Sequence, residues 1–185
     1  MAELLRIDKD PMEPVYKLYG PAKASAIPTD CTGLTVLDLG GYDGRFGQVA
    51  LERGAKSVLV LDNEDWRRYH GQGWPSPQHF DRLDYQQGNF QEHQGQYDLV
   101  LFFNVLYHCD NWEQALPKVA SLTKKILCLS TYWADGQSGW QEYSDEGLTR
   151  ATPTIPGLFQ ALGESGFQCY DYVQVVEKHV IVRCS

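Results

Sequence analysis

The chain alternates short, uninterrupted apolar runs with stretches in which apolar positions recur every three or four residues. Residues 35–39 (TVLDL), 57–61 (SVLVL), 97–103 (YDLVLFF) and 125–130 (KILCLS) are of the first kind. Runs this short and apolar on both faces predict strands covered on both sides, as in a parallel sheet. Helical patterns lie between them. Residues 45–53 put Phe46, Val49 and Ala50 on one face and stop at Gly54, a residue suited to the C′ position. Residues 110–122 predict a helix capped by Asp110 despite Pro117, and 155–165 one with Leu158, Phe159 and Leu162 inward, ended by Gly166. Residues 170–176 and 179–183 are two further strands; only Glu177 and Lys178 join them, so they must pair antiparallel. A weak edge strand is expected within 80–87. Three stretches lack a clear period. Residues 1–30, with prolines at 11, 14, 21 and 28, predict a short helix or an extended arm. Residues 63–80 are polar and aromatic, and 131–154 read as a long loop of the kind that carries function.

This alternation predicts an α/β fold: a doubly wound, Rossmann-like, mostly parallel sheet closed by a C-terminal antiparallel hairpin. A length of 185 residues supports one core, so the expected organisation is an N-terminal arm or lid at 1–30 and a single domain at 31–185. In such sheets ligands sit beyond the C-terminal strand ends, where 40–47, 62–66, 88–90 and 104–110 would meet.

Composition narrows the partners. Twenty-four acids against 16 Lys and Arg give a net charge of −8, a poor match to a polyphosphate, although Lys17, Arg67 and Arg68 could form a local basic patch. The five cysteines are scattered without a CxxC pair, which argues against disulfides or a zinc site and for a reducing, cytoplasmic setting. No metal is expected. The start, MAELLRIDKDPMEP, lacks the apolar run of a signal peptide, and no stretch approaches the about 18 apolar residues of a membrane span.

Four clusters carry chemistry. In VLDLGGYDGRFG, residues 36–47, a strand enters a glycine turn that opens a helix; Gly40 and Gly44 let the backbone approach a ligand, with Gly41 and Tyr42 between them. Tyr42 and Arg45 stand where the dinucleotide fingerprint needs glycines, so a nicotinamide cofactor is disfavoured, and no GKS or GKT exists. Asp62 ends the next strand 22 positions after Gly40, followed by Asn63; a carboxylate there can accept two hydrogen bonds from a ribose diol, or serve only as a strand-end turn residue. Asn89 and Phe90 suit the edge and face of an adenine, or equally a polar turn with a core phenylalanine. Asn104, Tyr107, His108 and Asp110 gather after the third strand; His108 is a general-base candidate or a structural loop residue.

Together these segments resemble the class I S-adenosylmethionine-dependent methyltransferases over roughly residues 34–170. VLDLGGYDGRFG is similar to that family's first motif, LVLD, ending at Asp62, to its second and YDLVLFFNVLYHCDNWEQAL to its fourth motif and the following helix. The YDG, LERGA and NVLYHCDNWEQAL runs and the Trp140 to Phe167 pattern resemble the tRNA wobble-uridine carboxymethyltransferase subgroup. The resemblance implies an enzyme with S-adenosylmethionine as cofactor. Asp38, Gly40 and Gly44 would shape the methionine site, Asp62 would grip the ribose, Asn89 and Phe90 would flank the adenine, and Asn104 would lie by the carboxylate or sulfonium. The position of Tyr107 lies near the transferred group in that subgroup. The subgroup's large basic N-terminal extension is absent; its carboxylated donor would need a cation such as Lys17 or Lys23, so ordinary S-adenosylmethionine is expected. Tyr42, Trp66, Tyr107, Tyr132 and Trp133 are candidates to face a sulfonium. Tyr19, Tyr132, Trp133 and Trp140 are the candidate acceptor residues, with 10–24 and 131–154 as lid.

The expected reaction is methyl transfer to a small molecule, at oxygen. The alternatives are methyl or carboxymethyl transfer to tRNA or another nucleic acid, and a non-catalytic donor-binding subunit; a monomer or homodimer fits each.

Overall fold

The computed structural model describes residues 13–63, 81–110, 112–145 and 148–185. The apolar runs form the central strands. β1 (Thr35–Leu39), β2 (Ser57–Asp62), β3 (Leu83–Gln87), β4 (Tyr97–Phe103), β5 (Thr123–Tyr132), β8 (Tyr170–Val176) and β9 (His179–Cys184) make one seven-stranded sheet in the order β3-β2-β1-β4-β5-β9-β8. The first five strands run parallel, and β9 returns antiparallel between β5 and β8. The predicted fold is therefore present: a mostly parallel α/β sheet with a C-terminal antiparallel hairpin. The edge strand expected within 80–87 is β3.

Successive strand residues face opposite sides, and each side has its own apolar layer. Leu37, Leu39, Phe102, Leu127 and Leu129 face α3 (Trp112–Leu122) and α4 (Ile155–Glu164). Val36, Val58, Val60, Leu99 and Leu101 face α1 (Glu13–Ala26) and α2 (Arg45–Glu52). Ala26 and Ile27 are fully buried in this second layer, so the end of the 1–30 segment packs with the domain.

One expectation is corrected. Residues 131–154 are not a long loop: β5 runs on to Tyr132, and β6 (Trp140–Asp145) pairs antiparallel with β7 (Leu148–Pro153) as a separate hairpin. Gln141 to Ser144 of β6 are exposed, and among the described positions of β7 the buried ones are Ala151 and Pro153, so no run of large apolar residues announces either strand. A single 3-10 turn, Leu106–His108, also intervenes before α3, which begins at Trp112. Trp66 and the rest of 64–80 lie outside the described residues. No helix among the described residues is long and apolar enough to cross a membrane.

The order reverses between β1 and β4: the chain leaves β1 toward β2 on one side and continues from β4 to β5 on the other. A crevice opens there beyond the strand ends.

Candidate functional site

Gly40 leaves β1 at φ +60°, and its N–H donates to the Leu61 carbonyl at 2.8 Å, tying the turn to β2. A Cβ at Gly40 would collide with the Val105 side chain, so the position needs glycine for space as well as for conformation. Tyr42 follows at φ +52°, and its N–H donates to Asp62 Oδ2 at 2.9 Å. Gly44 at φ +73° caps α2, and a Cβ there would stand 2.7 Å from the Tyr85 hydroxyl. Across the crevice Asn104 ends β4 at φ +62°, an uncommon conformation for a residue other than glycine. Its N–H donates to the Ser130 carbonyl at 2.8 Å, and the Ser130 hydroxyl donates to its Oδ1 at 3.0 Å.

Two carboxylates occupy the start of α2. Asp38, buried on β1, accepts the Gly47 N–H at 3.0 Å, and burial pushes its carboxyl up to about 7. Asp43 accepts the Arg45 N–H at 3.2 Å and pairs with the Arg45 guanidinium at 2.8 Å; burial raises its carboxyl too, opposed by Arg45. Arg45 thus offsets the charge of Asp43 at the helix start.

Lys23, on α1, closes the crevice. It is 4% exposed and has no acidic partner among the described residues. Its ammonium lies 5.8 Å from the ring centre of Phe46 and 6.0 Å from that of Tyr19. Burial, with Arg45 nearby, lowers its pKa to about 8. The crevice lined by Lys23, Asp38, Gly40, Gly41, Tyr42 and Asn104 encloses about 70 Å³, enough for only one end of a ligand.

Residues 10–169 match a family model described as "Methyltransferase domain". The chain belongs to this methyltransferase domain family. No curated protein sequence matches it. In fold the methyltransferase is similar to an S-adenosylmethionine-dependent methyltransferase of Mesorhizobium loti: 19% identity, 90% of this chain and 97% of the other covered, TM-score 0.69. It is also similar to the 1,6-didemethyltoxoflavin-N1-methyltransferase of Burkholderia thailandensis, solved with 1,6-didemethyltoxoflavin and S-adenosylhomocysteine (20%, 96% and 78%, 0.66). A third is the magnesium protoporphyrin IX methyltransferase of Synechocystis with bound S-adenosylmethionine (18%, 100% and 85%, 0.69).

Other predicted residues of the methyltransferase fall into three groups. Asp62, Asn63, Asn89 and Phe90 lie together at the ends of β2 and β3, where the Gly88 N–H donates to the Asp62 carbonyl at 2.8 Å. Asn63 is exposed, and its carbonyl accepts from the Gln87 side chain at 3.1 Å. Asn89 Oδ1 accepts the Gln91 N–H at 2.9 Å, while Phe90 packs edge-on against Phe102, with centres 5.5 Å apart. Asn89 thus makes the contact of a polar turn, and Phe90 packs one edge on the core.

The second group is an aromatic cluster. Tyr107 meets Tyr132 at 4.7 Å between ring centres, and Tyr132 meets His179 at 4.0 Å, which in turn lies 3.8 Å from Tyr19. His108 is exposed beside Tyr107, with ring centres 4.3 Å apart. The β6–β7 hairpin reaches this cluster through the Tyr143 hydroxyl, which donates to the Tyr107 carbonyl at 3.0 Å.

The third group is the two tryptophans. Trp133 donates through Nε1 to the Glu177 carbonyl at 3.2 Å and lies under Lys178. Trp140 stacks on Trp112 at 4.3 Å and lines a separate cavity of about 400 Å³ between α3 and α4. In the sequence Lys23 stands only as a candidate for a donor's extra carboxylate, and His179 looks like any polar residue opening an apolar strand.

Proposed function

We propose that this methyltransferase uses S-adenosylmethionine to methylate a small molecule at oxygen, with the amino-acid end of the donor in the switch-point crevice. The carrying observation is Lys23: a buried ammonium beside a left-handed glycine turn, with no acidic partner among the described residues. A buried charge of this kind favours a ligand carboxylate strongly. Lys23 would hold that carboxylate, with the Gly40 and Gly41 backbone lining the same crevice. Arg45 is committed to Asp43, which leaves Lys23 for one carboxylate and supports the ordinary donor over a carboxylated one.

The donor supplies a methyl group on a sulfonium that is already a good leaving group. The chain's own task is alignment and water exclusion. Asp62 would accept from the ribose diol at the rim while its Oδ2 holds the Tyr42 N–H. The faces and oxygens of Tyr107 and Tyr132 suit a nearby cation. His108, exposed beside Tyr107, stays the general-base candidate.

Calorimetry with S-adenosylhomocysteine tests this reading. We expect saturable binding, no binding of NAD, and a loss of tenfold or more in affinity for Asp62→Ala, as removal of a charged hydrogen-bond partner entails. A protein that ignores S-adenosylhomocysteine would overturn it.

A further inference from the structure

His179 opens β9 directly across from Tyr132 of β5. It is fully buried, yet neither Nδ1 nor Nε2 has a hydrogen-bond partner among the described residues. Buried polar groups are almost always paired, so an orphaned imidazole calls for an explanation. Neighbouring rings do not provide one. Tyr19 and Tyr132 pack against the imidazole at 3.8 and 4.0 Å between centres, and the Tyr19 hydroxyl is spent on Glu177 at 3.1 Å. Both nitrogens are covered as well as unpaired, so a partner reaches them only when a neighbouring ring moves.

Burial, with the positive Lys23 alongside, lowers the imidazole pKa to about 4. At neutral pH the ring is uncharged and offers one donor and one acceptor. A hydroxyl or a ring N–H beside an acceptor atom answers both. The location suits an acceptor: Tyr19 and Lys23 sit four residues apart on α1, and the Lys23 ammonium that lines the crevice is 6.0 Å from the Tyr19 ring centre. His179 is therefore one ring away from the donor crevice.

We propose that His179 is the polar anchor of the acceptor site, binding a flat phenolic or heteroaromatic acceptor through its hydroxyl or ring N–H among Tyr19, Tyr132 and Tyr107. This inference rests on the donor reading above. Lys23 and a sulfonium on the same side disfavour a cationic acceptor. Tyr19 must swing aside for entry, which assigns α1 the covering role.

Phenol is the probe. In histidine-labelled protein saturated with S-adenosylhomocysteine, phenol should shift the His179 ring-nitrogen resonances. His179→Phe and His179→Asn should each bind phenol at least tenfold more weakly while S-adenosylhomocysteine affinity stays within twofold. His179→Phe should also raise the melting temperature, because it removes an unpaired polar group; a purely structural histidine would not combine higher stability with weakened phenol binding. Equal phenol affinity in wild type and His179→Phe, or unmoved His179 resonances, would overturn the proposal. Failure of S-adenosylhomocysteine to bind would instead sink the donor reading, and the phenol titration of the free protein would still decide the role of His179.

Discussion

Lys23 lines the crevice, and its effect on stability has a defined sign. Its folded pKa of about 8 lies below the ordinary lysine value of 10.5. Folding therefore favours the uncharged amine, and the penalty is fully present below pH 8. Between pH 8 and 10.5 the unfolded chain binds more protons than the folded one, so stability from this residue rises with pH across that window. The penalty amounts to roughly 3 kcal/mol. Lys23→Met should be more stable than wild type at pH 7, with the difference fading toward pH 10.5, as paired urea titrations would show. The same variant should lose tenfold or more in S-adenosylhomocysteine affinity but bind 5′-methylthioadenosine, which lacks the carboxylate, as wild type does. Equal loss for both ligands would remove Lys23 from the carboxylate role.

At the scale of elements, legibility followed burial. β1, β2, β4 and β5 are apolar on both faces because helices cover both sides, and such runs are easy to read. The Gly40–Gly44 turn and Asp62 were equally plain, since glycine at a strand end and an acid at the next carry a local reason. β6 and β7 were hidden, because one is largely exposed and the buried positions described in the other hold Ala151 and Pro153, which carry no strand signature. Asn104's left-handed backbone, held by Ser130, depends on β4 pairing with β5 and has no local signal. The hairpin is fastened to α4 at Thr154, which is 1% exposed: its hydroxyl accepts the Gly157 N–H at 3.1 Å and donates to the Gly139 carbonyl at 3.1 Å. Thr154→Ala should cost about 1–2 kcal/mol, a fall of a few degrees in melting temperature, and Thr154→Ser should recover most of it. An unchanged melting temperature for the alanine variant would mean the cap contributes nothing.

For the whole molecule, charge separates the small-molecule reading from the nucleic-acid alternative. A net charge of −8 opposes the approach of a polyanion, whereas a protein that binds RNA through several lysines and arginines releases counterions and shows a steep loss of affinity with salt. The contrast is measurable whatever the acceptor is. Filter binding with a tRNA transcript, donor analogue present, should give no retention at about 0.15 M salt, where exposed charges further apart than a Debye length are screened. Retention with a log–log salt slope of several units would favour nucleic acid and overturn the small-molecule acceptor. In that case Arg67→Gln combined with Arg68→Gln should flatten the slope by about two, roughly one unit for each phosphate no longer neutralised. The slope therefore distinguishes a local basic patch acting against the molecule's overall charge from a surface that repels phosphate throughout.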